Sequence, residues 1–328
     1  MNQPELVDCH THTVFSDGTS TLEENIVAAQ AAGLSTLVCS DHWGQAPFID
    51  CTMEVSRYEE YRNCIKAYQE QCSRKASSTQ KGTHAHAWGT TTTAATATTT
   101  ATAVTPEVLP EHNQQVSAAA HTAPVAQPLE LVFGLEADWY PGCEEALAPI
   151  RAEVPFLLGS VHYLQGLTLD WDGDVRLWEA LGANGVWERY VEEWCKAATS
   201  GLFDTMAHPD LPKIFSTTGW APTCTLEPFY ERMAQAARAG GVHIEINTAG
   251  LVKPCASMYP SRSLLEAFCR AEVPITVGSD AHSASRIGEN ILQAYEYAYS
   301  VGYRFVDAPC TDGTWRTISI ETNPDHIH

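Results

Sequence analysis

Positive charge is scarce in this chain of 328 residues: 19 lysines and arginines stand against 40 aspartates and glutamates, a formal net charge of −21. Phosphate backbones are gripped by clustered basic side chains, so a nucleic-acid-binding surface is not expected. No apolar run reaches the roughly 20 residues that a membrane-crossing helix needs, so no membrane partner is expected either. The chain enters an apolar run almost at its start, which leaves no room for a signal peptide and favours a cytoplasmic protein. None of the eleven cysteines forms a Cys-x-x-Cys pair. In such a protein they are expected to be reduced, mostly as small buried hydrophobes. Gly-x-Gly-x-x-Gly and P-loop patterns are absent, which argues against a nucleotide-cradling fold.

What is present is alternation. Hydrophobic residues make up 44% of the chain, enough for one large α/β domain or two modest ones. Apolar strand-like runs lie at 6–10, 35–42, 129–138, 154–162, 203–210, 242–247 and 274–282. Helical patterns lie at 22–33, 54–72, 175–200, 226–239, 261–270 and 287–300, and 304–306 with 316–320 reads as a closing hairpin. In the first helix Ile26, Val27, Ala29 and Leu34 are expected to face the sheet; in the second, Tyr58, Tyr61, Ile65 and Tyr68. The alternation implies parallel strands with right-handed crossovers, closed into a barrel or left open, in one domain spanning 1–328. It is interrupted at about 73–128, a stretch rich in Thr, Ala, Ser, Pro and Gln with few large apolar side chains. Too little surface can be buried there to offset the entropy of ordering the backbone, so a disordered insert is expected. Without it roughly 270 residues remain, a barrel-like size.

The strand-like runs end in polar residues that could bind metal. His10 and His12 are two apart, so a strand would aim both to one side, and Asp17 follows from a Ser-Asp-Gly turn. Alone, His-x-His is weak evidence, since His84-Ala85-His86 in the insert has the same spacing but no strand before it and no carboxylate nearby. The weight comes from His42, Glu136, His162, His208, Asp280 and His282, each at the C-terminal end of a run, where parallel α/β folds gather their sites. Six imidazoles and three carboxylates are too many for one ion. Three divalent ions would each receive three or four ligands if a carboxylate bridged two, and the donor set suits Zn²⁺, Mn²⁺ or Fe²⁺.

The motifs His10-Thr-His12, Phe15-Ser-Asp17-Gly, Ser40-Asp41-His42, Gly134-Leu-Glu136-Ala-Asp138, Gly159-Ser-Val-His162, Ala207-His208-Pro-Asp210, Glu245-Ile-Asn247-Thr-Ala-Gly250 and Gly278-Ser-Asp280-Ala-His282 follow one another across nearly the whole chain outside the insert. In that order they resemble the PHP (polymerase and histidinol phosphatase) family, and within it the histidinol-phosphatase branch. The resemblance implies a distorted (β/α)7 TIM-like barrel with a trinuclear site at its mouth. It implies one ion on His10, His12, Glu136 and Asp280, a second on Glu136, His162 and His208, and a third on Asp17, His42 and His282. The insert is not part of the family pattern.

The activity so implied is hydrolysis of a small phosphorylated substrate, L-histidinol phosphate, in histidine biosynthesis. An alternative is a PHP phosphoesterase acting on another small or nucleotide monophosphate. A polymerase-linked exonuclease is disfavoured by the acidic balance. Arg176, Lys213 and Arg286 are candidate phosphate contacts, and Asn247 holds a substrate polar group or caps the next turn. Trp139 and Trp171 are candidate pocket walls. Asp138 and Glu245 either orient His ligands or are solvated carboxylates. Oligomeric state and metal identity are left open.

Overall fold

A computed structural model of the chain describes residues 4–44, 51–82 and 129–321. Seven parallel strands form its centre: β1 (Leu6–Asp8), β2 (Leu34–Cys39), which resumes after two residues as β3 (His42–Trp43), β4 (Glu130–Asp138), β5 (Phe156–Ser160), β8 (Thr205–Met206), β9 (His243–Asn247) and β10 (Ile275–Gly278). Two short strands, β6 (Tyr163–Leu164) and β7 (Leu167–Thr168), make a hairpin beyond β5. Neighbours in space follow chain order from β1 to β10. The return of β10 to β1 is marked by the Cys9 amide donating to the Val277 carbonyl at 2.9 Å and the Asp280 amide to the His10 carbonyl at 2.8 Å. This is the (β/α)7 barrel that the family resemblance implies, and the parallel strands in chain order are those that the alternating pattern implies.

The strands are buried almost throughout because both faces are covered. Every residue of β2, β5, β9 and β10 is buried, as parallel strands between a helical layer and a barrel interior must be. The helical layer is α1 (Leu22–Ala31), α2 (Tyr58–Gly82), α3 (Glu144–Glu153), α4 (Arg176–Thr199), α5 (Glu227–Gly240), α6 (Arg262–Arg270) and α7 (Ile291–Val301). At the start of α1, the Glu24 amide donates to Thr21 Oγ1 while the Thr21 amide donates to the Glu24 carboxylate. That reciprocal cap stabilises the first turn by about 1 kcal/mol. The α1 face is narrower than its sequence suggests: Ile26 and Ala29 are buried, but Val27 is 64% exposed. On α2, Tyr58, Tyr61 and Ile65 are buried and Tyr68 packs beside them.

α2 runs ten residues past Cys72, into the start of the expected insert. The rest of that insert, 83–128, including His84 and His86, lies outside the described residues. All eleven cysteines are free thiols, as their scatter implies, but only Cys9, Cys39 and Cys143 are buried and the other eight are partly exposed. The expected closing hairpin is β11 (Phe305–Pro309) with β12 (Trp315–Ser319), antiparallel. Trp315 stacks on His243 at 3.6 Å and meets Phe156 edge-on at 5.7 Å. Both partners begin their strands, so the hairpin covers the N-terminal end of the barrel and leaves the C-terminal end open. Among the described residues no helix is long and apolar enough to cross a membrane.

Candidate metal centre

At the open end the nine side chains singled out from the sequence converge. Glu136 on β4 is their hub: its carboxylate oxygens lie 3.1 Å from His10 Nε2, 3.6 Å from His12 Nε2, 2.9 Å from His42 Nδ1, 3.6 Å from His162 Nε2 and 3.0 Å from His208 Nε2. Parallel register sets His42 of β3 opposite Glu136. Asp280 Oδ1 stands 3.3 Å from His12 Nε2, and Asp17 Oδ1 3.3 Å from His282 Nε2 and 3.8 Å from His42 Nε2. His10, His12, Glu136 and His208 are buried on the floor, whereas Asp17 and His282 are about one-third exposed at the rim.

The backbone is bent to bring these groups together. His208 and Asp280 adopt positive φ values of 25° and 54°, a region that costs a non-glycine residue of order 1–3 kcal/mol and gathers at functional sites. The turn carrying Asp17 is held by Asp41, buried between β2 and β3. Its carboxylate accepts from the amides of Thr13 (2.9 Å) and Ser16 (3.0 Å) and from both their hydroxyls. Asp8 ties the other flank, accepting from the Ser279 amide and hydroxyl and the Gly288 amide.

The imidazoles are oriented from behind. His10 Nδ1 is 2.7 Å from Glu245 Oε1, and His162 Nδ1 is 2.7 Å from Asp138 Oδ1. Both carboxylates are buried, which rules out the solvated reading and leaves the Nε2 atoms facing the centre. Asn247 joins this outer layer: its amide donates to Glu245 Oε2 at 3.0 Å and to Asp280 Oδ2 at 3.3 Å, and its carbonyl oxygen accepts from the Ala249 amide.

Charge and burial compete here. Burial pushes the Glu136 carboxyl up, but the His10, His42 and His162 charges outweigh it and hold it well below its usual range. Burial, with the His282 and His42 charges, lowers His12 to about 3, so its ring stays neutral. His42 goes the other way: burial lowers it, and the Glu136 and Asp17 charges overcome that, to about 9.

The donor set fits divalent cations. His10 Nε2, both His12 nitrogens and His208 Nδ1 are buried without a properly aligned hydrogen-bond partner, an expensive state unless another group satisfies them. Three overlapping groups have donor atoms mutually within 4.8 Å: His12, Asp17, His42 and His282; His10, His12 and Glu136; and His42, Glu136 and His162. The sharing of His12 and His42 differs from the partition that the family resemblance implies, in which each serves a single ion.

Above the cluster opens a cavity of about 680 Å³, walled also by Cys51, Tyr163, Asp170, Trp171, Lys253 and Tyr259. Of the proposed substrate contacts only Arg176 lines it, and that guanidinium is already paired with Asp174 at 2.8 and 2.5 Å. Lys213 does not reach the cavity. It is buried behind Tyr259, donating to the Met258 carbonyl and lying 4.6 Å from the Tyr259 ring. Arg286 is also outside the lining, bonded to Glu289 at 2.6 Å, and so is Asn247. Trp171 walls the cavity as expected, but Trp139 is buried and donates to Glu193 at 3.1 Å. Lys253 is the wall cation that sequence reasoning missed. Its signal was its place on the loop after the strand that ends at Asn247. A wider hollow of about 800 Å³ beside α2 and the start of β4 touches none of the nine side chains.

The profile of the PHP domain family matches residues 8–249, so Asp280 and His282 lie beyond the matched span. A probable histidinol-phosphatase of Deinococcus radiodurans is 34% identical over 203 residues, covering 61% of this chain and 75% of that protein. Two solved structures share the fold. One is a histidinol phosphate phosphatase of Lactococcus lactis, complexed with Zn, L-histidinol and phosphate. It has a TM-score of 0.66 and 15% identity, over 95% of this chain and 99% of the other. The second is a putative histidinol phosphatase of Listeria monocytogenes, with a TM-score of 0.63 and 18% identity, over 86% and 97%. With the profile match covering more than half of the sequence and the barrel and its His-rich mouth in place, the chain belongs to the PHP family.

Proposed function

We propose that this protein is a metal-dependent phosphomonoesterase of the cytoplasm that hydrolyses L-histidinol phosphate to L-histidinol and phosphate, a step of histidine biosynthesis. The observation that carries the reading is the Glu136 hub, one buried carboxylate within 3.6 Å of five imidazoles at the open end of the barrel. The identity to the Deinococcus radiodurans protein supports the choice of substrate. His10, His12, Asp17, His42, Glu136, His162, His208, Asp280 and His282 would hold divalent ions, three in number, of Zn²⁺, Mn²⁺ or Fe²⁺. Such ions, when bound, lower the pKa of water towards neutrality and neutralise phosphoryl oxygens, both needed for a reaction so slow without catalysis.

The chain's own residues prepare for that chemistry. Glu245 and Asp138 fix the rings of His10 and His162, and Asp41 sets the Asp17 turn, so the donors are oriented before substrate arrives. The cavity above leaves room for the alcohol part between Trp171, Tyr163 and Tyr259.

The test is phosphate release from histidinol phosphate, p-nitrophenyl phosphate and nucleotide monophosphates, after chelation and resupply of Mn²⁺ or Zn²⁺. Histidinol phosphate is expected to give the highest kcat/KM, and a nucleotide preference would overturn the substrate. His12→Ala and Glu136→Ala are expected to lower kcat/KM at least about a hundredfold, and full activity in either would overturn the metal mechanism.

A further inference from the structure

Apart from the nine clustered side chains, the cavity wall carries four charged groups: Asp170, Asp174, Arg176 and Lys253. Asp174 and Arg176 cancel, since the guanidinium meets both carboxylate oxygens. Asp170 is different. Its one hydrogen bond is from Thr168 Oγ1 at 3.3 Å, and it has no cationic partner among the described residues. It is partly buried in the loop after β7, close enough to His162 and Tyr259 for its charge to act on both. Beside it Trp171 is 61% exposed, an aromatic face turned to solvent at the mouth. An uncompensated carboxylate in a partly enclosed cavity attracts a cation more strongly than one in open water, and an aromatic face adds to that attraction.

We propose that Asp170 is a specificity-determining residue that takes the cationic group of the leaving alcohol, so that the site selects phosphate monoesters of amino alcohols over neutral or anionic ones. The inference rests on the phosphomonoesterase reading and deepens it. With the phosphoryl group at the histidine cluster, the alcohol part must extend into the volume that Asp170 borders. An ammonium or imidazolium there meets the Asp170 carboxylate, which no cation of the described residues pairs with. A neutral alcohol gains nothing from Asp170, and a second anionic group is repelled.

The experiment compares metal-loaded wild type, Asp170→Asn and Asp170→Glu on histidinol phosphate and on p-nitrophenyl phosphate, whose leaving group carries no cation. Binding of L-histidinol to each is measured by calorimetry. For Asp170→Asn, kcat/KM on histidinol phosphate is expected to fall about ten- to a hundredfold, mainly through KM, with L-histidinol affinity weakened to match. Turnover of p-nitrophenyl phosphate is expected to stay within about twofold, and Asp170→Glu to keep most of the preference. Equal loss on both substrates, unchanged L-histidinol affinity, or a Glu variant as impaired as the Asn variant would each overturn the subsite. Wild type that releases phosphate from neither compound would instead overturn the phosphomonoesterase reading.

Discussion

Gly278 shows how tightly the site is built. A methyl group there would lie 2.3 Å from Glu245 Oε1 and 2.4 Å from His10 Cβ, and those two side chains are locked together by their 2.7 Å contact. Neither can yield without turning His10 away from the centre. Gly278→Ala is therefore expected to cost about 1–3 kcal/mol of stability and to lower both bound metal and kcat/KM at least about tenfold. Metal analysis of the purified variant checks this, and a wild-type metal content would refute it. Lys253 and Arg176 are separated by a similar argument. Lys253 is exposed on the cavity wall with no ion pair among the described residues, whereas Arg176 is committed to Asp174. Lys253→Ala is expected to raise KM for a phosphate monoester roughly three- to tenfold at low salt, with the effect fading as salt is added. Arg176→Ala should change KM less, and steady-state kinetics of the two variants side by side decides it.

The β11–β12 hairpin closes the end of the barrel opposite the site, so its damage should be felt as instability rather than lost chemistry. Trp315→Ala removes the ring stacked on His243 and is expected to cost about 2 kcal/mol while leaving kcat unchanged. Asp307 on β11 adds a pH dependence. Burial raises its carboxyl, but the hydrogen bonds from His243 and Thr317 outweigh that and hold it below the ordinary 3.8. A carboxyl lowered in the folded state adds stability that is fully present above its unfolded value and is lost as pH falls through the folded one. Asp307→Asn is thus expected to lower the urea midpoint at pH 6, the gap to wild type narrowing steadily below about pH 3.8. The hairpin was legible in the sequence, as were the seven strands, because continuous apolar runs ending in polar residues have few other uses. Helix α3 was not, since Pro149 interrupts its short pattern. Nor was the β6–β7 hairpin, whose turn depends on positive φ at Gln165 and Gly166. The clustering of the nine candidate donors was readable because all but Asp17, which a Ser-Asp-Gly turn carries, sit at or just past a strand end, where local direction fixes the side chain. Lys213 misled because its side chain is drawn behind Tyr259 by tertiary contacts that spacing does not record, and Arg286 because a local pairing with Glu289, three residues on, takes its guanidinium.

Taken together, the nine donors and their supports draw on every strand of the barrel. His10 and His12 follow β1, His42 lies in β3 beyond β2, Glu136 in β4, His162 follows β5, His208 follows β8, and Asp280 and His282 follow β10. β9 joins through Glu245, which grips His10 and accepts from the His208 amide at 2.8 Å. Ions bound here would cross-link the barrel rather than one loop, and without them unaligned imidazole nitrogens stay buried. Unfolding scatters these donors, so such ions would bind the folded state almost exclusively and stabilise all of it. At a hundredfold excess over the dissociation constant the gain is about 2.7 kcal/mol for one ion, which corresponds to roughly 5–10 °C in Tm for a large domain. Chelation is therefore expected to lower Tm by at least that much in a single transition, and resupplied Mn²⁺ or Zn²⁺ to restore it. His12→Ala should show a smaller metal-dependent shift than wild type, because two of the three donor groups share that ring. Scanning calorimetry of both proteins, with and without chelator, separates this outcome from a barrel whose stability does not depend on metal. In that case Tm would stay put and the mouth would hold no structural ion.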